Sequence, residues 1–284
     1  MKLLITILFI PLFGYAQMEG YSFNLFTGTP VEKLAIAAKK GRVKDILSIM
    51  QDTTINFEYR DARWGQTVLM VAVMNNKHKV IEALLQGGCN PNTLDFKKQT
   101  ALIRHTNSSY NGRRCDIKTS KLLLKYGADI NKECNYSANH ELFQTTAFIN
   151  ACRSECLAHV KYLVSMGANI NQWVGDSSSC AISAALILDR MEILKYLIID
   201  LGAKIPPYCI KEDKGRDNVT MLGMLRRKPF PLNSKKHKIK MQIVAYLKEK
   251  HGLDYFKEPL PEGFFLQRIK ELHPNDFDSY IKKY

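Results

Sequence analysis

The chain has 284 residues, with 41 Lys and Arg against 27 Asp and Glu, a formal net charge of +14, and 46% hydrophobic residues. That apolar content can fill a core and excludes a disordered tail or a collagen-like fibre. The length suits one or two compact domains unless the chain is a repeat array, and its segments recur.

Met1 and Lys2 precede an apolar run, Leu3 to Phe13, broken only by Thr6 and Pro11, with Gly14 and Ala16 just before Gln17. A charged start, a short apolar core and a small-x-small exit predict a secretory leader cleaved after Ala16. The run is too short to span a bilayer, which takes about 20 apolar residues, and no later stretch reaches that length without charges. The expected organisation is a leader at 1–16, a lead-in at 17–33, repeats at 34–253 and an extension at 254–284. The mature protein is expected outside the cytoplasm, periplasmic or secreted, where nucleic acid is not an expected partner.

Four glycine phrases follow apolar helix ends: Gly88-Cys89-Asn90-Pro91-Asn92, Gly127-Ala128-Asp129-Ile130-Asn131, Gly167-Ala168-Asn169-Ile170-Asn171 and Gly202-Ala203-Lys204-Ile205-Pro206. Their glycines lie 39, 40 and 35 residues apart. Glycine takes the left-handed position that stops a helix at little cost. Ile130, Ile170 and Ile205 are then expected to bury, and the Asn side chains to bond nearby backbone. A second phrase recurs beside each: Thr67-Val68-Leu69, Thr100-Ala101-Leu102, Thr146-Ala147-Phe148, Cys180-Ala181-Ile182 and Thr220-Met221-Leu222. Four open with a Thr, suited to capping a helix N-terminus, and Cys180 holds the same position as a small residue expected to bury. Ala72, Ala151 and Ala185, five residues on, leave room for close helix packing, whereas His105 and Leu225 break the pattern.

These phrases resemble the ankyrin-repeat family, whose unit of about 33 residues is a β-turn followed by two antiparallel helices. The likeness covers roughly Leu34 to Leu253, beginning with Leu34-Ala35-Ile36-Ala37-Ala38-Lys39-Lys40-Gly41. It implies an all-α fold, an ankyrin-repeat solenoid of about five stacked helix-turn-helix units with short β-turn fingers, and a degenerate last pair using Ile239 to Leu247. The family's Thr-Pro-Leu-His has no Pro in any copy here, and Met70, Ile103, Ile149, Ser183 and Gly223 replace its His. Insertions fall near Asn107–Arg113, between two helices, and near Glu133–Leu142, in a loop leading to the next unit.

Helical hairpins of this kind bury their apolar faces only by stacking. The long surface of turn tips and inner helices suits macromolecular recognition better than acid–base chemistry. Carried over from the family, the partner-contact positions are the turn residues Arg63, Trp64 and Gln66, then Phe96, Lys97 and Gln99, then Leu142, Phe143 and Thr145, then Asp176, Ser177 and Ser179. The inner-helix positions are Met74 and Asn75, and Arg153 and Ser154. Trp64, Phe96 and Phe143 occupy equivalent tips, and aromatic and Arg side chains dominate interface energetics. The competing reading folds these rings back onto their own hairpins. The resemblance implies a protein partner, a monomeric non-enzymatic adaptor, and neutralisation of a toxin as one form of that role.

Nine Lys and Arg with one acid, Glu249, crowd Arg226 to Lys250. This run reads either as the solvated face of a terminal repeat or as a binder of anionic lipid or glycan. The seven cysteines of an exported chain allow three disulfides and one leftover thiol. Cys115 and Cys156 fall near the helix–helix turns of adjacent repeats, and a bridge between them would pin the first insertion. Cys152, Cys156 and His159 mimic a metal spacing but need not share a face. The sequence has no His-Glu-x-x-His, phosphate-cradling glycine loop or Gly-x-Ser-x-Gly, and Asp176-Ser177 is a polar loop before it is a hydrolase pair. No cofactor or metal is expected. Beyond Asp254, Pro259 and Pro261 mark a break, and Gly263 to Leu272 predicts an amphipathic helix with Phe264, Phe265, Ile269 and Leu272. A last turn comes after Pro274, at Phe277, Tyr280 and Ile281. This extension either caps the last repeat or reaches into a partner.

Overall fold

The computed structural model describes residues 20–107, 115–138, 141–211 and 218–283, the side chains of 138 and 141–143 excepted. The expected leader and most of the first insertion lie outside the described residues. The chain divides between Phe143 and Gln144 into two compact units. No described helix is long and apolar enough to cross a membrane.

The first unit opens with a 3-10 turn, Phe23–Phe26, whose two phenylalanines are buried. Three helix pairs come next: α1 (Glu32–Lys40) with α2 (Val43–Ile49), α3 (Val68–Met74) with α4 (His78–Gln86), and α5 (Ala101–Thr106) with α6 (Ile117–Lys125). The inner helices α1, α3 and α5 pack in one row and the outer helices α2, α4 and α6 in another. Every residue of α3 is buried, because an inner helix meets neighbours on both sides. The second insertion becomes a hairpin of β1 (Cys134–Ala138) and β2 (Glu141–Thr145).

The second unit repeats the scheme. It has α7 (Ala147–Arg153) with α8 (Leu157–Ser165), α9 (Ala181–Ile187) with α10 (Met191–Lys195), and α11 (Met221–Arg226) with α12 (Lys235–His251). Here α9 packs between α7 and α11, and α10 between α8 and α12. The last outer helix is therefore longer than Ile239 to Leu247, running from the Ser234 cap to Gly252 at φ 66°.

The two sequence phrases work by the chemistry expected of them. Thr67, Thr100, Thr146 and Thr220 each accept, on the side-chain oxygen, the amide of the residue three further on, at 3.0–3.3 Å. Cys180 does the same with sulfur for Ser183. Gly88, at φ 99°, donates to the Leu85 carbonyl while Cys89 reaches back to Leu84, and Gly127 and Gly167 repeat this closure. Gly202 lies one residue later relative to its buried Leu197. A π turn, Tyr196–Asp200, absorbs the extra residue within the outer helix. Asn92 reaches beyond its own turn: its amide donates to the Gly127 carbonyl at 2.9 Å and accepts from Asp129 at 2.7 Å. Asn171 likewise accepts from the Lys204 amide at 2.8 Å. These bonds lock one turn to the next. Ile130, Ile170 and Ile205 correct the expectation: they are half-buried, and the adjacent Ala128, Ala168 and Ala203 fill the interior.

Cys115 in the first unit and Cys156 in the second are each disulfide-bonded, whereas Cys89, Cys134, Cys152, Cys180 and Cys209 are buried thiols. The extension forms α13 (Phe264–Leu272) and α14 (Phe277–Lys283). Ile269 and Tyr280 are fully buried beside Leu232, Phe277 and Ile281, and the Tyr280 hydroxyl donates to the Phe230 carbonyl at 2.9 Å. Of the four apolar residues assigned to α13, only Ile269 turns inward; Phe264 is 73% exposed.

Candidate functional site

The fingers are shaped by two aspartates that the sequence patterns did not single out. Asp61 is buried, and its carboxylate accepts the amides of Arg63, Trp64 and Gln66 at 2.9, 2.8 and 2.6 Å. Its own amide donates to the Gln66 carbonyl at 2.9 Å, closing the turn before α3. Asp95 repeats the device before α5, accepting from the amides of Lys97 and Gln99 at 2.9 and 2.8 Å. Its other oxygen pairs with Arg104, a buried residue of α5. The readable signal was an aspartate five or six residues ahead of a capping Thr, with Gln before that Thr in both cases.

The two fingers interlock. Gly65, at φ 69°, lies under the Phe96 ring, and a Cβ there would come within 2.5 Å of it. The Phe96 amide donates to the Trp64 carbonyl at 3.1 Å, and Arg60 reaches the Leu94 carbonyl at 3.3 Å. Phe96 thus rests on the neighbouring finger rather than folding back onto its own hairpin, and it remains 47% exposed. The Arg60 guanidinium lies 5.7 Å from the Phe96 ring centre, and that of Arg63 lies 5.3 Å from Trp64. Arg60, Arg63 and Lys98 are exposed; Trp64 and Lys97 are half-buried.

Several expected contact residues belong instead to the framework. Gln66, Gln99 and Met74 are buried. The Gln66 amide, oriented to satisfy both neighbours, donates to the Gly20 carbonyl at 2.9 Å and accepts from Arg104 at 3.2 Å. Arg104 also lays its Nε against the Met74 sulfur at 3.2 Å. Asn75 is half-buried and donates to the carbonyls of Tyr21 and Val71 at 2.7 and 2.8 Å. The closed turns therefore face Gln66 and Gln99 inward, while Arg63, Trp64, Phe96 and Lys97 keep surface.

In the second unit, Thr145 is buried and donates to Asn150 at 2.7 Å, and half-buried Arg153 donates to the same oxygen at 2.6 Å. Gln144 covers Gly175 much as Phe96 covers Gly65, and Ser179 donates to its side-chain oxygen at 3.3 Å. Asp176 accepts the Ser178 amide at 2.8 Å, and Ser177 is buried. Ser154 turns its hydroxyl back onto the Ala151 carbonyl at 2.7 Å. Leu142 and Phe143 lie on β2 with side chains outside the described residues. Trp173, a residue not anticipated, is 42% exposed; its signal is its place two residues after the closing Asn171 of a glycine phrase.

The basic run from Arg226 to Lys250 does not form one exposed face. Arg226 and Lys240 are buried beside Tyr255, their charged groups 4.3 and 5.0 Å from its ring centre. Burial, reinforced by Arg226, pulls the Lys240 ammonium down to about 6. Lys228, Lys235, Lys248 and Lys250 pair with Asp189, Glu192, Asp254 and Glu249.

This architecture of capped helix pairs with interlocked turns is the ankyrin-repeat fold. Residues 34–134 match the family model for ankyrin repeats, in three copies. Among solved structures, the chain is similar to the human ASB11 ankyrin repeat domain, with 17% identity and a TM-score of 0.54, covering 82% of this chain and 94% of that one. It is also similar to an ankyrin repeat domain from Acinetobacter baumannii, with 21% identity and a TM-score of 0.56, covering 75% of this chain and 96% of that one. No curated protein matches the sequence. Ankyrin repeats generally mediate protein–protein interaction.

Proposed function

We propose that this chain is a non-enzymatic adaptor, exported from the cytoplasm, that grips a partner protein with its fingers. The observation that carries the reading is the Phe96 ring, propped outward on Gly65 beside Trp64. Large aromatic side chains held at a rigid tip lose little freedom on binding and supply much apolar area. Arg63 and Lys97 flank them, and Arg153 and Asp176 offer partial surface in the second unit. Export is supported by the leader-like composition of residues 1–16 and by the oxidised Cys115 and Cys156, which suit an oxidising compartment. Toxin neutralisation is one form that such binding would take.

The test is affinity capture from the exporting cell, comparing the wild type with Trp64→Ala plus Phe96→Ala. The double variant is expected to lose the partner while its thermal unfolding stays close to wild type. Capture that survives places the binding surface elsewhere. Fractionation with N-terminal sequencing checks export, the expected mature start being Gln17.

A further inference from the structure

We infer that the segment gripped by the two fingers of the first unit is acidic. This rests on the reading of those fingers as the binding surface and adds the chemistry of what fits it. In sequence the fingers look nearly neutral: residues 56–66 and 90–99 contain Arg60, Arg63, Lys97 and Lys98 against Glu58, Asp61 and Asp95. Folding separates the signs. Asp61 and Asp95 point inward, one saturated by three backbone amides, the other by two amides and Arg104. Glu58 is half-buried, accepting the Asn90 amide at 2.8 Å and the Thr93 hydroxyl. The carboxylates are spent on holding the turns.

Arg60, Arg63 and Lys98 stay outside, and Lys97 is half-buried. Arg60 touches a carbonyl and a ring, neutral partners that orient its guanidinium without cancelling its charge. Lys98 sits exposed in the left-handed turn position at φ 60°, its amide bonded to the Asp95 carbonyl at 3.0 Å. The surface is therefore a pair of aromatic rings edged by positive charge. Its complement is a peptide segment carrying Asp or Glu beside apolar side chains. A polynucleotide would need open ring faces for base stacking; Trp64 is half-buried with its indole nitrogen inside, and Arg60 lies over Phe96.

The experiment selects a displayed random-peptide library on the full chain, then titrates a selected peptide by fluorescence anisotropy. Selected peptides should be enriched in Asp and Glu next to apolar residues, and should bind more weakly as salt rises. Arg60→Glu with Lys98→Glu should weaken binding by about tenfold or more, Arg60→Gln with Lys98→Gln less so, with unchanged thermal unfolding in both. Neutral or basic selected peptides, no selection at all, or indifference to charge reversal would overturn the inference. Peptides that need Trp64 and Phe96 but ignore the charges would leave the finger reading standing and remove the acidic partner. Acidic peptides indifferent to Trp64→Ala plus Phe96→Ala would remove both. Equal binding of a single-stranded oligonucleotide would overturn the peptide in favour of a polyanion.

Discussion

Arg104→Met is the sharpest probe of how the fingers are held. The guanidinium of Arg104 and the carboxylate of Asp95 are both almost wholly shielded from water, with side-chain exposures of 8% and 1%. Removing one partner of a buried pair typically costs about 3–5 kcal/mol, because a charge is stranded in a poor solvent. Asp95 keeps two amide donors after the change, so the loss belongs at the lower end, about 3 kcal/mol. Met keeps an apolar side chain of similar reach while removing the Nε that lies against the Met74 sulfur. Asp95→Asn removes the anion from a cation that the Gln66 amide and the Met74 sulfur also touch, and should cost more, about 4–5 kcal/mol. In the double variant an Asn oxygen still accepts the finger amides, so the double should be clearly more stable than the sum of the singles implies. Urea unfolding followed by circular dichroism gives all four corners of the cycle. An Arg104→Met protein within about 0.5 kcal/mol of wild type, the range of ordinary surface changes, would refute the claim that this pair is a structural brace.

Titratable groups give three further outcomes. Burial alone would raise the Asp116 carboxyl, but hydrogen bonds from His78 and Thr119 and the nearby His105 outweigh it and bring it down to about 2. A carboxyl lowered in the fold contributes stability that is present above about pH 4 and fades as pH falls toward the folded value; acid titration of Asp116→Asn should show a shallower loss over that window. Lys240, lowered to about 6 by burial and Arg226, holds a proton in the unfolded chain that it tends to release in the folded one. Stability should therefore rise with pH above about 6, and Lys240→Met should flatten that rise when unfolding is measured at several pH values. Thiol titration of the unfolded, unreduced protein should find five reactive cysteines, rising to all seven after reduction. In the native protein burial pushes the Cys134 and Cys209 thiols up to about 12, so alkylation should be slow until unfolding begins.

What could be read from the sequence was what local chemistry decides. Thr100 or Thr146 caps a helix, and Gly127 or Gly167 ends one, through bonds to residues three to five positions away. Ile130 is half-buried while Ala128 two residues earlier is buried, a choice of side that the glycine phrase alone does not decide. The π turn at Tyr196 was hidden for the same kind of reason: a spacing of 35 reveals a length, not where an extra residue is accommodated. At the fingers the sequence supplied the aromatic tips but not the direction of Gln66 and Gln99, whose burial comes from Asp61 and Asp95 drawing the turns shut. Charge was legible as a sum and illegible as an arrangement.

The division of labour inside each finger has an evolutionary consequence. Because a shielded aspartate dictates the loop's shape from within, the outward positions at 63 and 97 can be exchanged while the turn keeps its form, whereas Arg60 also bonds the next finger and Lys98 holds a left-handed position. A lineage carrying this scaffold could change its binding preference by swapping tip residues alone, and a protein engineer could randomise those two places with the architecture left intact.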